Sequence, residues 1–231
     1  MDYLGVPTKK ERDYAKLNKD ARSFTASHHE FKNKMMTEFS NFCSDHSKAP
    51  LSILYLDHWC DEPNSIPLCA TEVFLSTGHS AKKLFCPNPD ETTFKALVDR
   101  GVSSVPLEMS EALCGPWKNE SFDAVYADFY YACPYKTIAE IEPVLTSAKV
   151  VACTLTRREE GMMEQRLDRL EDFMNSKGFL PAHKKFLKSH HYLRPSSVLT
   201  LFWFKKPTPD SIWRRLSSLL MRRTAAVKNT E

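Results

Sequence analysis

The residues best suited to chemistry in this 231-residue chain lie together in Phe122-Asp123-Ala124-Val125-Tyr126-Ala127-Asp128-Phe129-Tyr130-Tyr131. The run up to Asp128 is nearly all apolar and β-favouring, which suits a strand buried on both faces of a parallel sheet. Open α/β sheets bind their ligands in the crevice outside the carboxyl end of such strands. Asp128 stands at that end, with aromatic rings directly behind it. The same pattern also suits a carboxylate that opens a turn before core aromatics, so the order of the surrounding elements has to decide. A second carboxylate, Asp57, closes the compact apolar run Leu51-Ser52-Ile53-Leu54-Tyr55-Leu56.

Other chemistries are poorly represented. There is no Gly-x-Ser-x-Gly, Walker loop, His-Glu-x-x-His or Gly-x-Gly-x-x-Gly, so no nucleophile elbow, phosphate loop or zincin motif is present. The seven cysteines are scattered singly without a Cys-x-x-Cys pair, as reduced thiols are rather than a disulfide scaffold. His58, Cys60 and Cys69, with Cys86 or His79, fall near one sheet edge, but their spacing is not that of a zinc ligand set. No metal site is assigned.

The positioning elements follow in chain order. Residues 9–46 read as helix in two pieces, with Tyr14, Leu17 and Phe24 and then Phe31, Met35, Met36, Phe39 and Phe42 at helical spacing. Ser27 and Glu30 form a Ser-x-x-Glu capping pattern. Strand 51–56 is followed by a helix from 66 or 67 to 77, stopped by Gly78, and strand 83–86 by a helix over 91–100, capped by Asp90 and stopped by Gly101. A third strand covers 102–107, with a short helical segment at 108–113, and the fourth strand is the run from Phe122. A helix over 135–146, a fifth strand over 149–155 and a long charged helix over 159–176 come next. Two strands, 182–193 and 198–205, are joined by Arg194-Pro195-Ser196-Ser197 as an antiparallel hairpin. Five alternations of strand and helix before a hairpin imply a mostly parallel sheet with an antiparallel strand at or near its edge.

Three regions result: a helical extension at 1–50, an α/β domain at 51–206, and a linker with a basic amphipathic helix at 207–231. In the last, Ile212, Trp213, Leu216, Leu219 and Leu220 share a face flanked by Arg214, Arg215, Arg222 and Arg223. Charge is distributed unevenly: residues 1–50 carry 9 basic and 7 acidic side chains, 51–160 carry 9 and 16, and 161–231 carry 14 and 6. An acidic centre with a basic end implies a nucleic acid or acidic partner gripped by the C-terminal region. The terminal helices are further candidate contacts for a protein partner. No stretch approaches the ~20 apolar residues of a membrane span, and residues 1–10 lack a secretory h-region. The expectation is a soluble intracellular protein, cytoplasmic or nuclear.

This order of elements over 51–206 resembles the Rossmann-like fold of class I S-adenosylmethionine-dependent methyltransferases. The expected fold is α/β: a mostly parallel seven-stranded sheet with helices on both faces and a C-terminal antiparallel hairpin. The resemblance is divergent. Leu54-Tyr55-Leu56-Asp57 supplies the acid that ends the family's first strand, but His58-Trp59-Cys60-Asp61 supplies none of its glycines, which normally let backbone approach the cofactor. The resemblance implies S-adenosylmethionine as cofactor, held around Asp57, His58 and Asp128, by Asn88 or Asp90 at the ribose, and by Glu108 or Glu111 at the adenine amino group. Amino-group methyltransferases carry Asp/Asn-Pro-Pro-Tyr/Phe after the fourth strand; Asp128-Phe129-Tyr130-Tyr131 keeps the carboxylate and the aromatic and lacks the prolines. By that analogy Asp128 accepts an N–H bond from a planar amino substrate and Tyr130 or Tyr131 stacks on it. The implied reaction is direct displacement on a sulfonium methyl, driven by alignment and desolvation. Two functions stay open: a methyltransferase acting on nucleic acid or a nucleic-acid-associated protein, and an inactive methyltransferase-like domain retained as a scaffold subunit. Retained acids at two strand ends favour the first, and the missing glycines favour the second.

Overall fold

Apolar runs and amphipathic stretches alternate along the chain as the sequence pattern requires, and a computed structural model describes residues 26–46, 51–59, 68–128, 134–157, 163–182 and 197–206. Helix α1 (Ala26–His46) leads into β1 (Ile53–Tyr55), α2 (Cys69–Ser76), β2 (Leu84–Pro87), α3 (Glu91–Asp99), β3 (Ser103–Val105), α4 (Met109–Cys114) and β4 (Ala124–Asp128). Then come α5 (Pro134–Ile141), β5 (Val150–Arg157), α6 (Met163–Ser176), β6 (Phe179–Pro181) and β7 (Ser197–Lys205). Gly78 and Gly178 end α2 and α6 with φ of 93° and 82°, a left-handed backbone that glycine reaches without a Cβ clash.

The strands form one seven-stranded sheet in the order β3-β2-β1-β4-β5-β7-β6. β1 through β5 pair in parallel, and β7 runs antiparallel to both of its neighbours. The chain winds outward from β1 to β3 on one side and from β4 onward on the other, so the winding reverses between β1 and β4. At that junction Leu54 faces Val125 and Tyr55 faces Tyr126.

Alternation along the strands builds two cores, one on each face. Leu54, Val125, Ala127, Val151 and Cys153 pack with Met109, Leu113, Ile141, Leu170 and Met174, which places α4, α5 and α6 on one side. Ile53, Tyr55, Ala124, Tyr126 and Ala152 pack with Met36, Phe39, Cys43, Val73, Phe74 and Leu97, which places α1, α2 and α3 on the other. Both faces of the central strands are therefore covered, as their continuous apolar runs require.

Two expectations are revised. The sixth strand is Phe179–Pro181, directly after Gly178, and it pairs antiparallel with β7, while the expected turn residues 194–196 lie outside the described residues. Only Ala182 of the expected strand 182–193 is a described residue, and it lies outside any strand. Ser27 falls inside α1, which starts at Ala26, and so does not precede the helix as a cap. The expected helices over 9–25 and 207–231 lie outside the described residues.

Helix α1 is tied to α2 by polar as well as apolar contacts. Ser40 Oγ donates to Thr77 Oγ1 at 2.7 Å and lies 2.8 Å from His79 Nε2. Since the Ser40 proton goes to Thr77, Nε2 is the donor to Ser40. Partial burial pushes the His79 pKa below 6.5. The unfolded chain thus binds this proton more tightly, and stability rises with pH between the folded pKa and 6.5. The contribution is complete above the upper limit of that window and lost as pH falls through the folded value. Urea melts across pH ~5 to 8 are expected to show this loss on the acid side, and His79→Gln is expected to flatten it; an identical slope in the variant would remove His79 as its cause.

Candidate active site

The site is built from the carboxyl ends of β1, β2 and β4. Asp57 comes two residues after the end of β1, and Asp128 is the last residue of β4, the strand that pairs with β1 in parallel. The two acids thus follow or close neighbouring strands at the same rim, one on each side of the point where the winding reverses. Such switch points are where open α/β sheets leave a crevice. Asp128 is half-buried and pairs across the ladder with Thr154 of β5.

Asp57 is buried, and its carboxylate is engaged within the chain. Oδ1 accepts from His58 N at 3.0 Å, and Oδ2 accepts from both Thr71 N and Thr71 Oγ1 at 2.8 Å. The reason lies in α2, which begins at the left-handed Leu68 (φ 53°) and has no side-chain cap of its own. Asp57 supplies the missing acceptor from the end of β1, where the positive end of the helix dipole favours an anion. Tyr55 adds to the cluster, with its hydroxyl 2.8 Å from Thr71 Oγ1. Because the Thr71 proton goes to Asp57, Tyr55 is the donor. Burial, the Cys86 thiol and Asp57 push the Tyr55 pKa well above the ordinary phenol value, so it stays protonated.

At the end of β2, Asn88 Nδ2 donates to the Asp57 carbonyl at 2.7 Å while Oδ1 accepts from Asp90 N at 2.8 Å. Asp90 caps α3, its Oδ1 accepting from Thr93 N at 2.8 Å and Thr93 Oγ1 at 2.7 Å. Its Oδ2 accepts no hydrogen bond among the described residues. Glu108 and Glu111 are joined in a capping box at the start of α4. Trp59 is seated against α3: its N–H donates to Thr93 Oγ1 at 3.0 Å, and the Arg100 guanidinium lies 5.8 Å from its ring centroid. Arg100 in turn pairs with Glu72 at 2.6 Å. A groove of about 280 Å³ runs between Trp59 and Glu91, Thr92, Lys95, Ala96 and Asp99, on the outer side of α3. None of those residues belongs to β4 or β5.

The structure therefore brings Asp57, His58, Asn88, Asp90 and Asp128 to one rim and sets Glu108 at the start of α4, after β3. Tyr130 and Tyr131 lie outside the described residues, as does Cys60. Among the described residues no group of three or more His, Cys, Asp or Glu side chains is arranged to hold a metal. Reading the sequence missed Thr71 and Thr93, two buried threonines, of which Thr71 donates to Asp57 and Thr93 accepts from Trp59. Thr93 carried a signal, since Asp90-x-x-Thr93 places it at the capped third position of a helix. Thr71 carried none, because its partner is 14 residues upstream.

The residues fit an uncharged nucleoside better than a nucleotide phosphate. Asp90 Oδ2 is an open acceptor at the β2 rim, suited to a ribose hydroxyl. The amide of Thr71, at the N-terminus of α2 where a dinucleotide fold would seat its pyrophosphate, is already bonded to a carboxylate.

No protein-family model matches the chain, and no curated protein matches it by sequence. Solved structures do match. The plantazolicin methyltransferase BpumL in complex with SAH is 9% identical, with a TM-score of 0.53, over 86% of this chain and 92% of that one. Its complex with a monoazolic desmethylPZN analog and SAH gives 11% identity and a TM-score of 0.52 over 84% and 89%. The ribosomal protein L11 methylase of Lactobacillus delbrueckii subsp. bulgaricus gives 10% and 0.47 over 76% and 79%. With β7 inserted antiparallel between β5 and β6 and helices on both faces, the chain has a Rossmann-like fold, the one that the plantazolicin methyltransferase BpumL also has.

Proposed function

We propose that the chain is a divergent S-adenosylmethionine-dependent methyltransferase acting on nucleic acid or on a nucleic-acid-associated protein. The observation that carries this reading is that Asp57, just past the end of β1, and Asp128, the last residue of β4, lie at the carboxyl ends of the two parallel strands that flank the switch point. Bound S-adenosylmethionine would supply a methyl group on a sulfonium sulfur. Asp90 would accept from the ribose, with Asn88 holding its turn, and Asp57 would keep the first loop and the start of α2 in place. Asp128, half-buried at the end of β4, would accept an N–H of the substrate, and Tyr130 and Tyr131 would stack on its ring. Alignment of this kind is the main source of rate in a direct displacement.

The fold alone leaves the substrate open, because the plantazolicin methyltransferase has it too. The nucleic-acid part of the proposal rests on charge: the excess of basic side chains over 161–231 is suited to phosphates. A second reading, a scaffold domain without transfer activity, is favoured by one observation. The Asp57 carboxylate and both ends of the Asn88 amide are engaged within the chain.

Calorimetry with S-adenosylmethionine and S-adenosylhomocysteine separates the two. The enzyme reading expects Kd in the micromolar range, about −8 kcal/mol, and transfer of labelled methyl to an RNA, DNA or protein fraction that weakens when residues 207–231 are removed. A folded protein that binds neither compound would leave the scaffold.

A further inference from the structure

We infer that Thr93 is a positioning residue that takes over, through a closed ring of hydrogen bonds, the work glycine would do in the first strand-to-helix turn; this rests on the methyltransferase reading. The ring runs from the Asp57 carbonyl to Asn88 Nδ2 at 2.7 Å, from Asn88 Oδ1 to Asp90 N at 2.8 Å, and from Asp90 Oδ1 to Thr93 Oγ1 at 2.7 Å. It continues from Thr93 Oγ1 to Trp59 N at 3.0 Å and closes through the backbone of Asp57, His58 and Trp59.

A turn of non-glycine residues cannot bring its backbone close to a ligand by adopting a left-handed conformation without strain. It can be drawn aside, so that side chains at the neighbouring strand end meet the ligand instead. The ring does this over the first three residues of the turn. Asn88 holds the carbonyl of its first residue, and Thr93 holds the N–H of its third. The Thr93 hydroxyl makes both of its ring bonds through one oxygen, donating to Asp90 and accepting from Trp59. Through the same hydroxyl, Thr93 helps fix Asp90 with Oδ1 toward α3 and leaves Oδ2 open. A change in this turn is thus transmitted to the group proposed to meet the ribose.

Thr93→Val removes the hydroxyl, keeps the shape, and leaves the backbone bond from Thr93 N to Asp90 in place, so α3 retains its cap and the variant is expected to fold. Thr93→Ser restores the hydroxyl. Hydrogen exchange at the Trp59 amide and calorimetry with S-adenosylhomocysteine give the two readouts. In Thr93→Val the Trp59 amide is expected to exchange about tenfold faster, the effect of losing one buried hydrogen bond. The Kd for S-adenosylhomocysteine is expected to rise by about tenfold, and Thr93→Ser is expected to return both toward the parent. Unchanged exchange at Trp59 would overturn the ring as the support of the turn. Faster exchange with an unchanged Kd would overturn its service to the ligand. A parent protein that binds no S-adenosylhomocysteine would overturn the methyltransferase reading and that service together, while exchange at Trp59 would still decide whether Thr93 holds the turn.

Discussion

Asp57→Ala is expected to lower stability by about 3 kcal/mol, because it strips a buried charged acceptor from several donors at once. The Thr71 N–H and hydroxyl, both bonded to Oδ2, would be left inside the fold without that partner. The start of α2 would lose the one side-chain cap it has among the described residues, since Leu68 offers none. For a chain of this size the loss corresponds to a fall in Tm of about 6–12 °C. Asp57→Asn keeps one accepting oxygen but turns an amide toward a backbone N–H, so about half of the effect is expected. Thr71→Val, which leaves the backbone bond to Oδ2 intact, is expected to cost about 1 kcal/mol. Thermal melts of the three variants test this order. A Tm for Asp57→Ala within a degree or two of the parent would mean that the carboxylate is not the cap of α2. Affinity lost without stability would instead indicate direct contact between Asp57 and the ligand.

That distinction could not be made from the sequence. Asp57 was legible as the last residue of an apolar strand, and the rim it shares with Asp128 follows from parallel order alone. What the carboxylate does there depends on Thr71, whose approach is set by the packing of α2 on β1 rather than by any local pattern. Asp90, by contrast, was readable in full, because a helix cap and its partner at the third position are neighbours in sequence. The glycines ending α2 and α6 were readable for the same reason. β6 was not, because three residues directly after a helix stop carry too little periodicity to signal a strand; Phe179–Pro181 takes its conformation from pairing with β7. The candidate site divides the same way: the strand-end acids were visible, and Thr71, which holds Asp57 from 14 residues downstream, was not.

The largest loss of stability is expected from Phe39→Ala, in a segment that its sequence pattern alone presents as an extension. Phe39 is fully buried on α1 and meets Tyr126 of β4 edge-on at 5.2 Å and Phe74 of α2 at 6.3 Å. Tyr126 is the register partner of Tyr55, two residues before the candidate acids on each strand. Removing the ring opens a cavity against the central strands and breaks two aromatic pairs, a change worth about 3–5 kcal/mol. A fall in Tm of about 10 °C or more follows from the size of the chain. Phe39→Leu, which refills most of the volume, is expected to cost about 1–2 kcal/mol. The decisive feature is cooperativity. Met36, Phe39 and Cys43 share one core with Ile53, Tyr55 and Tyr126, so helix loss by circular dichroism and exposure of the core tryptophans Trp117 and Trp203 by fluorescence should shift together in the variant. If residues 1–50 were instead separable from the sheet, Phe39→Ala would leave the tryptophan transition where the parent has it, and α1 would have no part in holding the strands that present Asp57 and Asp128.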